Sequence, residues 1–166
     1  MRRSTIGTLV LALAMTTGVA RLQAQGFMIG AGASIPSGDF GDEAKTGWVG
    51  TAGLSFGAKA LSFRIDGNYA QNSSKFDGEE SSKMILGLGG IEFGLGQKAS
   101  HPYLVGEAGY MRFTCDGCSG AFAWAAGAGF TTGSIFVEGR YVSASKDGFT
   151  TSTILAEVGL RLGKKK

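Results

Sequence analysis

The run TSTILAEVGLRL, residues 151–162, decides the fold of this chain, because from Thr153 onward its side chains alternate between two unlike faces. Ile154, Ala156, Val158, Leu160 and Leu162 make an uninterrupted apolar face, and Leu155, Glu157, Gly159 and Arg161 make the other. A strand turns each successive side chain to the opposite side, so a period of two sustained over about ten residues predicts a strand long enough to cross a bilayer. The preceding run, Ser134–Ser143, follows the same rule, with Ile135, Val137, Gly139 and Tyr141 opposite Phe136, Glu138, Arg140 and Val142.

Extending this reading back to Gly26 predicts six further strands. Phe27–Ile35 sets Phe27, Ile29, Ala31, Ala33 and Ile35 against Met28, Gly30, Gly32 and Ser34, and Pro36 should end it, since proline cannot donate to a ladder. Gly47–Phe56, Leu61–Gln71, Lys83–Leu95, His101–Phe113 and Gly120–Thr131 repeat the alternation. The last of these is the sharpest, with Phe122, Trp124, Ala126, Ala128 and Phe130 opposite nothing but alanine and glycine. The expected connections alternate in length: 36–46, 72–82, 114–119 and 145–150 are longer, whereas 57–60, 96–100 and 132–133 are short. Long loops at one end and short turns at the other describe an antiparallel up-and-down barrel. The fold class read from the sequence is therefore all-β, an eight-stranded antiparallel up-and-down transmembrane β-barrel.

The start of the chain reads as a targeting segment. Arg2 and Arg3 form a basic beginning, Ile6 to Ala20 is apolar, and small residues follow at Ala20 and Ala24, the layout of a secretory signal peptide. This divides the chain into residues 1–24, a signal peptide, and 25–166, the barrel domain, with Ala20 as the second choice of cleavage site. The formal charge of +3 falls to zero once Arg2, Arg3 and Arg21 are removed, so no basic patch survives except Lys164 to Lys166, and nucleic acid is not an expected partner. No run of 18 apolar residues follows, so the exported chain has no predicted spanning helix.

Alternation alone does not say which face is inside. A secreted, soluble, lipocalin-like binding barrel would turn the apolar face inward, and a membrane barrel would turn it outward. The polar faces here are mostly Gly, Ala, Ser and Thr with isolated charges at Arg64, Asp66, Glu92, Glu107, Glu138, Arg140, Glu157 and Arg161. Such a face is too sparsely charged for water, but it suits a narrow interior in which small residues leave room for a few large charged ones to pair. On the apolar face, Trp48, Tyr69, Tyr110, Phe122 and Tyr141 gather near the loop ends, while Phe27, Phe56, Phe63, Phe93 and Phe130 gather near the turns. Two aromatic girdles mark two membrane interfaces.

With the opening GAGASIPSGDFGD, strands such as FRIDGNYA and FVEGRYV, and the closing ILAEVGLRL, the sequence resembles the small eight-stranded outer-membrane barrels of the OmpA and OmpX type. The resemblance covers residues 26–162 and rests on pattern more than motif. It implies a monomer in the outer membrane of a Gram-negative-type bacterium, in contact with outer-membrane lipid and inserted by the barrel-assembly machinery. Members commonly end on an aromatic residue, whereas this chain ends Leu162, Gly163 and three lysines. The implied role is structural or surface-interacting, with an extracellular ligand reached through loops 36–46 and 72–82. A narrow porin-like channel is the alternative, and the soluble binding barrel a further one.

Few residues suggest chemistry. Cys115 and Cys118, in CDGC, read first as a small loop disulfide in an oxidising compartment, with free thiols as the alternative. A redox CxxC would open a helix beside a thioredoxin-like core, which this sequence lacks, and a zinc site would need two more ligands. His101 is the only histidine and falls at a turn with no serine partner, so the chain is not read as an enzyme. The segment DFGDEAK lacks the ligand order of a calcium loop, and no helix follows the glycines at 87, 89 and 90 to complete a phosphate loop. No metal, catalytic residue or cofactor is predicted.

Overall fold

The computed structural model describes residues 24–57, 60–76, 80–96, 98–114, 119–146 and 148–163. They form a closed barrel in which each strand pairs antiparallel with its sequence neighbours, and the first pairs with the last. The strands are β1 (Ala24–Ser37), β2 (Gly47–Gly57), β3 (Leu61–Asn72), β4 (Ser82–Gly94), β5 (Ser100–Phe113), β6 (Ala121–Thr132), β7 (Ile135–Lys146) and β8 (Phe149–Leu162). A short helix, α1 (Asp39–Glu43), lies in the first long loop.

The register fixes the shape. Following paired residues once around, Phe27 leads through Leu54, Ile65, Gly89, Ala108, Trp124, Ser143 and Ser152 to Ser37, ten residues further along β1. With strands about 4.8 Å apart and a rise of about 3.3 Å per residue, that stagger tilts the strands about 40° from the barrel axis. A barrel of this size has an interior only just wide enough for side chains.

The apolar face points outward. Phe63, Ile65, Ile85, Phe122, Val137, Val158 and Leu160 are all exposed, while Met28, Val49, Leu86, Phe136 and Leu155 on the opposite parity are buried. A soluble barrel would have the reverse arrangement, since no water-facing surface would tolerate an apolar face of this extent. Toward the loop ends the exposed band carries Trp48, Tyr110, Phe122, Trp124 and Tyr141, with Trp48 against Tyr69 at 5.3 Å and Trp124 against Tyr141 at 5.6 Å between ring centroids. Toward the turns it carries Phe27, Phe63, Phe93 and Phe130.

Three features differ from the sequence reading. The last long connection, expected over 145–150, is a tight hairpin: β7 and β8 pair as far as Lys146 and Phe149, leaving residues 147 and 148 between them, with Gly148 at φ 85°. The hydrophobic alternation stops near Tyr141 because the hairpin leaves the apolar band there. Ser and Thr then carry the ladder onward, with Ser145 to Thr150 at 3.0 Å and Ser152 to Ser143 at 3.2 Å. Pro36 does not end β1, since beyond Ser34 the strand pairs only with β8 and a missing N–H on the free side costs nothing. Finally, loop 36–46, read from the sequence only as a longer exposed connection, folds α1 back over the barrel mouth and buries Phe40.

Candidate functional site

The interior is layered. All eight charged residues singled out in the sequence lie on the inward parity, toward the turn end, and they fall into two groups. In the central group, Arg64 and Arg140 face Asp66, Glu107, Glu138 and Glu157, all of them buried. Arg64 holds Glu138 with a forked pair of bonds at 2.6 and 2.9 Å, and its Nε donates to Asp66 at 2.7 Å and lies 3.2 Å from Glu107. Arg140 bridges more widely: Nη1 lies 2.6 Å from Glu107 and 3.2 Å from Asp66, Nε 2.9 Å from Glu138, and Nη2 2.9 Å from Glu157. Planar guanidinium groups can serve several carboxylates at once, which a lysine could not do with the same geometry.

Neutral groups complete this layer. Asn68 donates to Asp66 at 2.6 Å and accepts from Arg140 at 2.7 Å, and the Thr51 hydroxyl reaches both Asn68 and Glu157. Glycines make the room: a Cβ at Gly127 would come within 2.7 Å of the Arg140 side chain and 2.3 Å of the Gly139 carbonyl oxygen. The large inward arginine therefore sits opposite an inward glycine on its paired neighbour.

The second group closes the turn end. Arg161 forms a forked pair with Glu92 at 2.6 and 2.7 Å and packs its guanidinium on the Tyr103 ring at 4.6 Å and the Phe136 ring at 5.4 Å. Tyr103 joins the two groups by donating to Glu138 at 2.8 Å. The sequence reading did not select Tyr103, Asn68 or Thr51 as site residues. Parity alone would have found them, since Tyr103 shares the face of Val105 and Glu107.

Above the charges the interior becomes apolar. Val49, Ala70, Met84, Leu86, Leu88, Met111, Ala123, Ala125, Val142, Ala144 and Leu155 form one buried cluster, and Phe40 of α1 seals it from the loop side. Phe40 meets Phe113 edge to face at 5.9 Å. The loop that carries it is fastened to the next one: Ala44 bridges Ser74, Lys45 N–H donates to Ser73 O at 2.8 Å, and Lys75 N–H donates to Glu43 O at 2.8 Å. The buried amide of Asn72 donates to the carbonyls of Ser34 and Lys45. Loops 36–46 and 72–82 thus meet in one surface.

The remaining residues of interest lie apart. His101 sits at the turn end of β5 with its Nδ1 2.8 Å from the Lys98 carbonyl. Cys115 and Cys118 fall outside the described residues.

By sequence, the chain matches no protein-family model and no curated protein. Its fold does match solved structures. The outer-membrane protein Ail of Yersinia pestis in a phospholipid bilayer nanodisc aligns with a TM-score of 0.57 at 14% identity, over 83% of this chain and 99% of that one. Neisserial surface protein A aligns with a TM-score of 0.55 at 15% identity, over 83% and 97%. A de novo designed transmembrane β-barrel aligns with a TM-score of 0.53 at 15% identity, over 84% and 98%. The chain therefore has the fold of the small eight-stranded outer-membrane β-barrels, and carries it with an apolar exterior and an interior that is charged toward the turns and apolar toward the loops.

Proposed function

We propose that this chain is an outer-membrane barrel with a structural and surface-interaction role, non-enzymatic, whose lumen is a filled network of side chains and not a path for ions. The observation that carries this reading is the pairing of Arg64 and Arg140 with four buried carboxylates, beneath an apolar layer capped by Phe40. A conducting lumen would need water along its axis, and here guanidinium, carboxylate and aliphatic groups occupy that space. Residues 1–24 would direct export, and the exported chain would reach the membrane as a monomer through the barrel-assembly machinery.

The interaction surface is the joined pair of loops 36–46 and 72–82. By sequence they hold six acids, Asp39, Asp42, Glu43, Asp77, Glu79 and Glu80, against Lys45 and Lys75. Phe76 stands exposed among them. Ail, of the same fold, has been solved in complex with the heparin analogue sucrose octasulfate, a polyanion. The acidic loops here favour a cationic or neutral partner with an apolar contact for Phe76.

Fractionation and planar-bilayer recording test the membrane and lumen parts together. The expected result is a chain in the outer-membrane fraction with heat-dependent gel mobility and no steady conductance. Full solubility without detergent would overturn the membrane reading, and stable single-channel currents would overturn the filled lumen.

A further inference from the structure

Between the two aromatic girdles, the outward residues of β2, β3 and β4 are small. Ala52 lies midway between Trp48 and Phe56, and Gly67 lies between Phe63 and Tyr69. Ala52 pairs with Gly67, and Gly67 with Gly87. The space above them is open: beyond its chain neighbours, a Cβ added at Gly67 would come no nearer than 3.9 Å to any atom, and one at Gly87 would meet nothing within 4 Å. Ile29, Tyr69 and Ile85 stand around this floor, and together they form an apolar groove of about 520 Å³ on the outside of the barrel. Trp48 completes its loop-side wall. The Trp48 ring packs on Tyr69 at 5.3 Å between centroids and reaches to 3.7 Å from where a Cβ on Gly50 would stand.

We propose that this groove holds one straight acyl chain of a lipid in the loop-side leaflet, packed against Gly50, Ala52 and Gly67. The groove is continuous with the exposed apolar band that faces the bilayer, so hydrocarbon is the material in contact with it. Trp48, Tyr69 and Ile85 extend it toward the loop end, which sets the leaflet. Lipid tails are as apolar as leucine, so filling the groove gains nothing from leaving water, and van der Waals packing decides what stays there. An empty floor would forfeit those contacts. Floor residues without a γ carbon let a chain approach the backbone closely, as small residues do between packed helices in membranes. A methyl-branched chain is held off by its own branches. The inference rests on the chain being a membrane barrel and not on any role of the joined loops.

The test uses the exported chain in vesicles of diphytanoyl phosphatidylcholine, whose chains are methyl-branched, with a minor fraction of straight-chain phosphatidylcholine brominated in the upper half of its chains. Bromine quenches indole fluorescence at short range, and the chain has two tryptophans, Trp48 at the groove and Trp124 against Tyr141 on β6 and β7. In Trp124→Phe, the remaining Trp48 should be quenched at least about threefold more readily than bulk lipid composition predicts, the weight of a handful of van der Waals contacts. In Trp48→Phe, the remaining Trp124 should follow bulk composition. Gly67→Leu or Ala52→Leu, each added to Trp124→Phe, fills the floor and should bring Trp48 onto the Trp124 curve with heat-dependent gel mobility unchanged. If one of these fails to fold, the other decides; if both fail, the comparison of the two tryptophans decides. Equal curves for Trp48 and Trp124 in inserted chain overturn the proposal, as does an unaltered Trp48 curve in folded Gly67→Leu. Quenching of Trp48 below bulk composition overturns it too, because protein such as a second copy would then cover the groove. A wild-type chain without heat-dependent mobility would overturn the membrane reading itself, and this inference with it.

Discussion

Replacing Arg140 by alanine probes the interior most directly. In the central group two guanidinium groups face four carboxylates, a formal charge of −2 that becomes −3 when Arg140 is lost. Arg64 remains beside Asp66, Glu107 and Glu138, but Arg140 is the only described base within ion-pair distance of Glu157. The damage is therefore concentrated on Glu157, left buried with the Thr51 hydroxyl as its hydrogen-bond donor. Breaking a buried ion pair from one side costs about 3 to 5 kcal/mol, two to three and a half orders of magnitude in the folding equilibrium. Urea unfolding in phospholipid vesicles, followed by the heat-dependent gel shift, should show a loss of that size. Lys75→Ala, at the aqueous rim, should change stability by no more than about 0.5 kcal/mol. Adding Glu157→Gln to Arg140→Ala should recover part of the loss, with a coupling of about 1 to 3 kcal/mol. The reasoning is refuted if Arg140→Ala loses no more than Lys75→Ala. It is refuted also if the wild type conducts steadily and Arg140→Ala alters that conductance at little cost in stability.

Other residues give sharper tests of individual points. Ala108 lies on the outward face in the middle of β5, so Ala108→Arg should cost about 2 to 4 kcal/mol in a bilayer, whereas a water-facing site would barely respond. Gly127→Ala should destabilise the barrel measurably in urea, because its Cβ would meet the Gly139 carbonyl oxygen at 2.3 Å, whereas Gly139→Ala, whose outward Cβ meets nothing within 4 Å, should be neutral or mildly stabilising. Phe40→Ala should release α1, seen as faster amide exchange in residues 38–45, with far less effect on exchange in β3 and β7. Cys115 and Cys118, on the sequence reading, should resist maleimide in chain isolated from the envelope until a reductant is added; full labelling without reductant would reject the disulfide.

What the chain's sequence determined by itself was everything that follows from a period of two. Each strand turns alternate residues to opposite sides, so the parity that puts Ile154 and Val158 outward also puts Glu157 and Arg161 inward, and the strand count and the inward set of charges follow without coordinates. The tertiary structure decided what depends on stagger and on loop conformation. Parity places Arg64, Arg140 and Arg161 on one inner surface but leaves open which acid each meets. Only the ten-residue advance around the barrel brings Arg140 to Glu107 and Glu157, and sends Arg161 to Glu92 at the turn end. The β7–β8 hairpin escaped the sequence reading because Ser and Thr can extend a ladder outside the membrane without any hydrophobic alternation to announce it. Phe40 escaped for the opposite reason: in a short acidic loop a single aromatic has no period, and whether it faces water or seals the barrel depends on the bonds between Lys45 and Ser73 and between Lys75 and Glu43, which join segments far apart in the chain.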